Sequence, residues 1–405
     1  MLLTISISSK PLPRRGFFLP PNHYLKSPPY NSLLHTSNLS SISVMMDDLI
    51  KVLHVTPSLG LGGTEKVMQS FVINIDKNRF HTSVYSPLNG PRGKLLRQAG
   101  IDTFIGIDLF PLLEKLRPQI VHIHRAGWAE PGSLRPYKLA GIPVVVETNV
   151  FGHYDPSPEG KLIDRHLFVS HFCAKRFEKI NHIPAEPPQY SVLYNPVDTD
   201  FFAANCPANR KVTTNTFGRI SRADKGKWSN LAYNFLPFLK NAVIENKLPP
   251  FNYRIIGGIP QAKKYVHENE LDDFVEFLPP VITDKEISHF LNSISFLAHA
   301  NDTGESFGLV IAEAMAAGLP VITHPSKDLR DNAQLELVDH GETGLIARDK
   351  QEYAEAVRFL LTHPEEAKVM GEKGRQKAAK LYRAQDIAKQ LGQIYIELLE
   401  QKKAV

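Results

Sequence analysis

Lys51-Val52-Leu53-His54-Val55, then Pro57-Ser58-Leu59-Gly60-Leu61-Gly62-Gly63, then Thr64-Glu65-Lys66-Val67-Met68 is the stretch that decides the fold. It opens with a short apolar run rich in β-branched residues. A glycine loop follows, and then an amphipathic pattern that continues through Phe71, Val72 and Ile75. The order is strand, glycine loop and helix, with Thr64 placed to cap the helix. Similar apolar runs recur at 81–85, 120–124, 144–147, 167–169 and 191–193, with helical stretches between them. Apolar strands alternating with helices predict a parallel sheet covered on both faces.

After Asn195-Pro196-Val197-Asp198 the chain turns polar over 203–211, and the pattern restarts. Strands are expected at 214–217, 251–256 (ending in Gly257-Gly258), 275–278, 295–298 and 320–323. Helices are expected at 227–239, 284–293, 309–317 and 351–362, and a long final one at 383–401. The fold class is α/β, with two Rossmann-like lobes facing each other across a cleft. The divisions read 47–200 for the first lobe, 201–380 for the second and 381–405 for the last helix. Ligands in such sheets sit beyond the carboxyl ends of the strands, so motifs placed there matter most.

Composition bounds the function. A chain of 405 residues, 42% hydrophobic and 22% charged, has length for more than one core. Four of its five net positive charges are Lys10, Arg14, Arg15 and Lys26, so the rest is nearly balanced. That lacks the sustained basic face of a nucleic-acid binder. Two cysteines, Cys173 and Cys206, suit a reducing compartment and a cytoplasmic chain. The richest apolar run, 309–322, is broken by Glu313 and Pro320, so no spanning helix is expected. Residues 1–46 hold six prolines, nine serines and no acid. They read as disordered: either an overcalled start before Met45 or Met46, the favoured reading, or a transit peptide with organelle targeting.

The strongest chemical signal is Gly304-Glu305-Ser306-Phe307-Gly308-Leu309-Val310-Ile311-Ala312-Glu313, placed after the 295–298 strand. Loop and helix start together aim free backbone N–H groups at one point, which makes an anion site. A carboxylate beside an anion site makes sense where it accepts hydrogen bonds from sugar or ribose hydroxyls of the same ligand. Taken alone, Glu305 would be a helix-start acid and Glu313 a solvated one. Glu313 lies in a nearly all-apolar stretch, however, and a buried carboxylate needs partners. The second signal, Gly218-Arg219 through Lys225-Gly226, sets two cations at a strand-to-helix turn. A fork donor plus a point charge suits a diphosphate leaving group. Singly, each would be a surface cation.

Together these residues make the region 50–400 resemble the retaining family-4 (group 1) glycosyltransferases of the GT-B fold. The glutamate pair at Glu305 and Glu313 is followed by Ala316-Ala317-Gly318-Leu319-Pro320-Val321-Ile322. Gly218-Arg219 and Lys225-Gly226, Asn195-Pro196-Val197-Asp198, Ile256-Gly257-Gly258 and Gly341-Glu342-Thr343-Gly344-Leu345 match further elements in the same order. The resemblance implies that the last helix crosses back to the first lobe. It implies that Arg219 and Lys225 hold the diphosphate, Glu313 the ribose and Glu305 the transferred sugar. The backbone of Ser306, Phe307, Gly308, Leu309 and Val310, with Gly218 and Gly257, completes the donor site. Gly62-Gly63 would approach the donor phosphates from the first lobe, and His124 would stand beside the sugar. His122 reads as a structural histidine.

Rival chemistries fit less well. The Gly60-x-Gly62 start of a dinucleotide fingerprint meets Glu65 where a third glycine belongs. Zinc would need further ligands at suitable spacing near His122 and His124. Asp198-Thr199-Asp200 spells a metal-binding D-x-D, but it falls within the lobe-junction match. No metal or cofactor is expected. The family's His-Gly is replaced here by Thr148-Asn149-Val150-Phe151-Gly152, and its Leu-Gly by Leu278-Pro279-Pro280. These departures touch the acceptor pocket and the base pocket. The expected activity is transfer of a hexose-like sugar, with retention, from a UDP- or GDP-sugar to a saccharide or lipid-linked acceptor in cell-envelope synthesis. The expected setting is cytoplasmic, with peripheral membrane contact open through 109–117, a segment that reads more simply as packed. The alternatives are a same-fold epimerase, a phosphorylase (no pyridoxal-phosphate lysine site is apparent) and a nucleotide-sugar-binding protein without turnover.

Overall fold

The structure is a computed structural model, and it describes residues 49–207 and 215–404. The readings on 1–46 and on the polar stretch beyond 207 lie outside the described residues.

The first lobe is built on β1 (Ile50–Val55), β2 (Phe80–Ser86), β3 (Asp102–Ile105), β4 (Ile120–Arg125), β5 (Val144–Asn149), β6 (Arg165–Phe168) and β7 (Tyr190–Val192). They form one sheet in the order β3-β2-β1-β4-β5-β6-β7, and every pairing is parallel. Its helices are α1 (Gly63–Asn74), α2 (Pro91–Gln98), α3 (Leu109–Leu116), α4 (Pro131–Leu139) and α5 (His171–Asn181). α6 (Thr199–Asn205) leads toward the second lobe.

That lobe contains β8 (Thr216–Ile220), β9 (Asn252–Ile256), β10 (Val275–Leu278), β11 (Leu297–Ala298), β12 (Val321–Thr323) and β13 (Gly344–Ile346), paired in parallel as β10-β9-β8-β11-β12-β13. Its helices are α7 (Leu236–Ile244), α8 (Pro260–Glu268), α9 (Asp284–Asn292), α10 (Leu309–Ala316), α11 (Gln334–Leu337), α12 (Lys350–Thr362) and α13 (Pro364–Leu381). α14 (Ala384–Lys403) ends the chain.

Period-two alternation fills both faces of the first sheet. Val52, Ile120, Val144 and Val146 pack under Val67 and Phe71 of α1. Leu53, Val121, Ile123 and Val145 pack on the other face with Leu112, Leu113 and Leu134. The 109–117 segment is therefore a packed helix at Leu112 and Leu113. The last helix crosses back as expected. Ile387, Leu391, Tyr395 and Leu398 of α14 enter the first-lobe core beside Val52 and Phe80. No described helix is long and apolar enough to cross a membrane.

Two local expectations fail for local reasons, and two edge strands are found that the sequence pattern does not announce. α1 begins at Gly63 with Gly62 as its uncapped start, so Thr64 lies inside the first turn. The helix expected over 227–239 is replaced by short 3₁₀ turns at Lys225–Lys227 and Asn230–Ala232, and α7 starts only at Leu236. Pro237 explains the delay, because proline fits a first helical turn and not an interior. The edge strands β3 and β13 are too short to give a periodic signal.

Candidate active site

Both sheets reverse their strand order at one point, between β1 and β4 in the first lobe and between β8 and β11 in the second. Ligand sites of open α/β sheets lie outside the carboxyl ends of strands at such points. The loops after β1, β8 and β11 meet there around a cleft of about 830 Å³.

The floor on the second-lobe side is the start of α10. Its N-cap, Gly308, has φ 103° and no capping side chain. The first N–H returned to the helix is that of Ile311, to the Gly308 carbonyl at 3.0 Å. The N–H groups of the preceding turn have no intrahelical acceptor and carry the positive end of the helix dipole. Ser306, Phe307, Gly308, Leu309 and Val310 all line the cleft. Glycine is required at 304, where φ is 69° and a Cβ would lie 1.5 Å from the Asp331 carbonyl oxygen.

Glu305 stands just before this turn, also lining the cleft. Its Oε1 accepts from Asn301 Nδ2 at 2.5 Å and from His299 Nε2 at 3.2 Å, and its Oε2 accepts from Lys227 Nζ at 3.2 Å. Burial alone would raise the Glu305 carboxyl. The His299 hydrogen bond and the Lys227 charge overcome that and bring it down to about 2. His299, lowered by burial, stays neutral and donates. Glu305 is thus an ionised, oriented acceptor at the mouth of an anion site. Ser170 Oγ of the first lobe donates to the Ser306 carbonyl at 2.7 Å, which ties this loop across the junction.

Glu313 lies one turn into α10 and reaches the same cleft with its side chain only 5% exposed. Lys66 of α1 donates to its Oε1 at 2.6 Å. Burial raises the Glu313 carboxyl above the ordinary range, and the Lys66 charge opposes that rise.

The first lobe contributes the glycine loop. Gly62 and Gly63 line the cleft, and a Cβ on Gly63 would come 3.3 Å from Leu309 Cδ1, so the loop sits directly on the start of α10. Thr148, Val150 and Phe151 form the wall where the His-Gly departure falls. Pro280, Val281 and Ile282 form an apolar wall at the other departure. Gly257 lines the cleft with φ 80°, and a Cβ there would lie 1.9 Å from the Ser221 carbonyl oxygen.

Four expected residues stand elsewhere. His124 is buried and is not among the residues that line the cleft. β4 alternation puts it on the face covered by α1 and α14, where it stacks on His122 at 4.3 Å and its Nε2 lies 3.0 Å from His54 Nδ1. His122 is structural as expected: its ring nitrogens meet Tyr395 Oη at 2.6 Å and Thr148 Oγ1 at 2.8 Å. Ligand-type atoms of His54, His122 and His124 lie within 4.8 Å of one another. Burial lowers all three, so each ring is neutral.

Arg219 is buried beneath Trp228, its guanidinium 4.5 Å from the ring centre. Its Nη2 donates to the Lys227 carbonyl at 2.8 Å, while Nε and Nη1 have no hydrogen-bond partner among the described residues. It braces the turn and places a desolvated positive charge behind the cleft wall. Gly218 is a packing position, because a Cβ would meet Phe290 Cζ at 2.6 Å. Lys225 is exposed and outside the cleft lining, whereas Lys227 lines it. Asp198 caps α6 through Phe201 N at 3.1 Å, and Asp200 pairs with Arg383 at 2.8 Å, so both D-x-D carboxylates hold structure.

Sequence reasoning missed Lys66, Asp284, Lys227, His299 and Asn301. Only Lys227, adjacent to the Lys225 motif, carried a local signal.

The family model described as glycosyl transferases group 1 matches residues 209–377. The GDP-mannose-dependent alpha-(1-6)-phosphatidylinositol monomannoside mannosyltransferase of Mycobacterium tuberculosis is 29% identical over 243 residues, which is 55% of this chain and 59% of that protein. The matched region thus spans less than two thirds of that relative. Among solved structures, Anabaena HepE in complex with UDP and glucose superposes with a TM-score of 0.66 at 16% identity, covering 85% of this chain and 98% of that one. A glycosyltransferase from Rickettsia africae gives 0.69 at 16% identity, covering 87% and 99%. The two solved structures establish the fold alone, and the family model matches the lobe that holds Glu305 and Glu313. Residues 209–377 match the glycosyl transferases group 1 model, and the chain has the two-lobed GT-B fold of these solved structures.

Proposed function

We propose that this protein transfers a sugar from a nucleoside-diphosphate sugar, UDP- or GDP-linked, to a saccharide or lipid-linked acceptor, with retention of configuration. The observation that carries the reading is the convergence of Glu305, Glu313 and the uncapped start of α10 on one cleft faced by the Gly62-Gly63 loop. Glu313 accepts from the ribose hydroxyls, and Glu305 accepts from hydroxyls of the transferred sugar. The N–H groups at 308–310 and the Lys227 ammonium receive the diphosphate, whose charge grows as the glycosidic bond breaks. Arg219 adds a fixed positive charge behind that wall. Pro280, Val281 and Ile282 suit a base, and Thr148, Val150 and Phe151 suit the acceptor side. A volume of about 830 Å³ lies within the usual range for ligand pockets.

Two of the three proteins named above are described with nucleotides or nucleotide sugars. One is described as GDP-mannose-dependent and the other was solved with UDP and glucose. We place the reaction at the cytoplasmic face of a membrane or in the cytoplasm, in cell-envelope saccharide synthesis, without a metal ion. The test is release of nucleoside diphosphate from UDP-glucose, UDP-N-acetylglucosamine and GDP-mannose by the full chain. Turnover of one donor, reduced at least about a hundredfold in Glu305→Gln, supports the reading. Turnover unchanged in Glu305→Gln would reject it.

A further inference from the structure

Lys66 projects from the second turn of α1 in the first lobe, yet both of its carboxylate partners belong to the second. Its ammonium donates to Glu313 Oε1 at 2.6 Å and to an oxygen of Asp284, across 247 and 218 residues of chain. The Lys66 side chain is 19% exposed and that of Glu313 5%, so the pair is largely withdrawn from water. The Phe202 ring lies 5.8 Å from the ammonium and closes its other side. Lys66 and Glu313 both line the cleft.

A carboxylate has two oxygens. Here Oε1 is taken by Lys66, and Oε2 has no hydrogen-bond partner among the described residues. A charge-assisted bond to one oxygen fixes the plane of the group and leaves the other as an aimed acceptor. Without that cation, burial favours the neutral acid.

We propose that Lys66 is a positioning residue of the donor site, by which the first lobe fixes the Glu313 carboxylate for the vicinal hydroxyls of a ribose. The proposal rests on the ribose reading of Glu313 given above. It makes recognition of the sugar edge of the nucleoside depend on the contact between the lobes, although Glu313 itself sits in the second.

The test compares calorimetric dissociation constants of UDP and GDP with those of their 2′-deoxy forms, for the full chain and for Lys66→Met, Lys66→Ala and Lys66→Arg, with melting curves to verify folding. Losing one hydrogen bond to a charged acceptor corresponds to about tenfold or more, so the wild type should prefer the ribonucleotide by that ratio. In Lys66→Met and Lys66→Ala the ratio should fall to about twofold or less, and Lys66→Arg should keep most of it. A general structural defect would weaken both nucleotides together and leave the ratio intact. That outcome in folded Met or Ala variants overturns the proposal while upholding Glu313 as the ribose group. A wild type that does not discriminate overturns the ribose reading and the proposal with it.

Discussion

Lys227 Nζ lies 3.2 Å from Glu305 Oε2, joining the loop after β8 to the loop after β11 across the switch point of the second sheet. The contact brings the one cation of the 225–227 turn that lines the cleft against the carboxylate at the head of α10. Arg219 holds the same turn from below by bonding the Lys227 carbonyl.

The first prediction separates two neighbouring lysines. Lys227→Met should weaken nucleoside-diphosphate binding about tenfold, the scale of a lost charge-assisted bond. Lys225→Met, altering an exposed side chain, should change it by less than about twofold. Isothermal titration on both variants decides it. A larger loss at Lys225 would mean that the turn rearranges around the ligand.

Gly218 tests packing against binding. Its added methyl would press on Phe290 Cζ at 2.6 Å and Ile294 Cγ2 at 2.8 Å. Gly218→Ala should therefore destabilise the protein by about 1–3 kcal/mol, the usual cost of overpacking. Nucleoside-diphosphate affinity should stay within about threefold below the melting transition. Lost affinity at unchanged stability would return Gly218 to the donor site.

Much of this architecture was legible in the chain. The strand–glycine loop–helix unit at 51–68 and the Glu305 to Glu313 stretch are local patterns, and each lands at the switch point of its sheet. Side-chain destinations were less legible. Alternation along β4 puts His122 and His124 on one face, but whether that face meets ligand or core is decided by Phe71 of α1 and Tyr395 of α14, far away in sequence. The sequence places Arg219 as a phosphate clamp. Its position on β8 sends it under Trp228, nine residues on, and the long 225–235 connection that puts Trp228 there arises because Pro237 delays α7. Lys66 and Glu313 meet only through the closure of one lobe on the other, which no local pattern encodes.

Buried histidines set the pH dependence of stability. Burial lowers His54 to about 3 and His324 to about 4, and it lowers His122, His124 and His299 as well. Each folded value lies below the unfolded one of about 6.5. Their stabilising contribution is therefore complete above pH 6.5 and is lost as pH falls through 6.5 toward the folded values. One such group loses about 1.4 kcal/mol per pH unit in that window. Glu305, brought down to about 2, adds a further loss below about pH 4.5. Melting temperature should be flat from about pH 7 to 8 and fall by several degrees by pH 5.5. A constant melting temperature down to pH 5.5 would mean that these rings are not held neutral.

The start of α10 and its two glutamates form the proposed nucleoside-diphosphate site. The most direct measurement is titration of the full chain and of Glu313→Gln with UDP, GDP, ADP and NAD. Saturable binding of UDP or GDP is expected, weakened at least about tenfold in Glu313→Gln. Binding of neither, or binding that Glu313→Gln leaves unchanged, would contradict it.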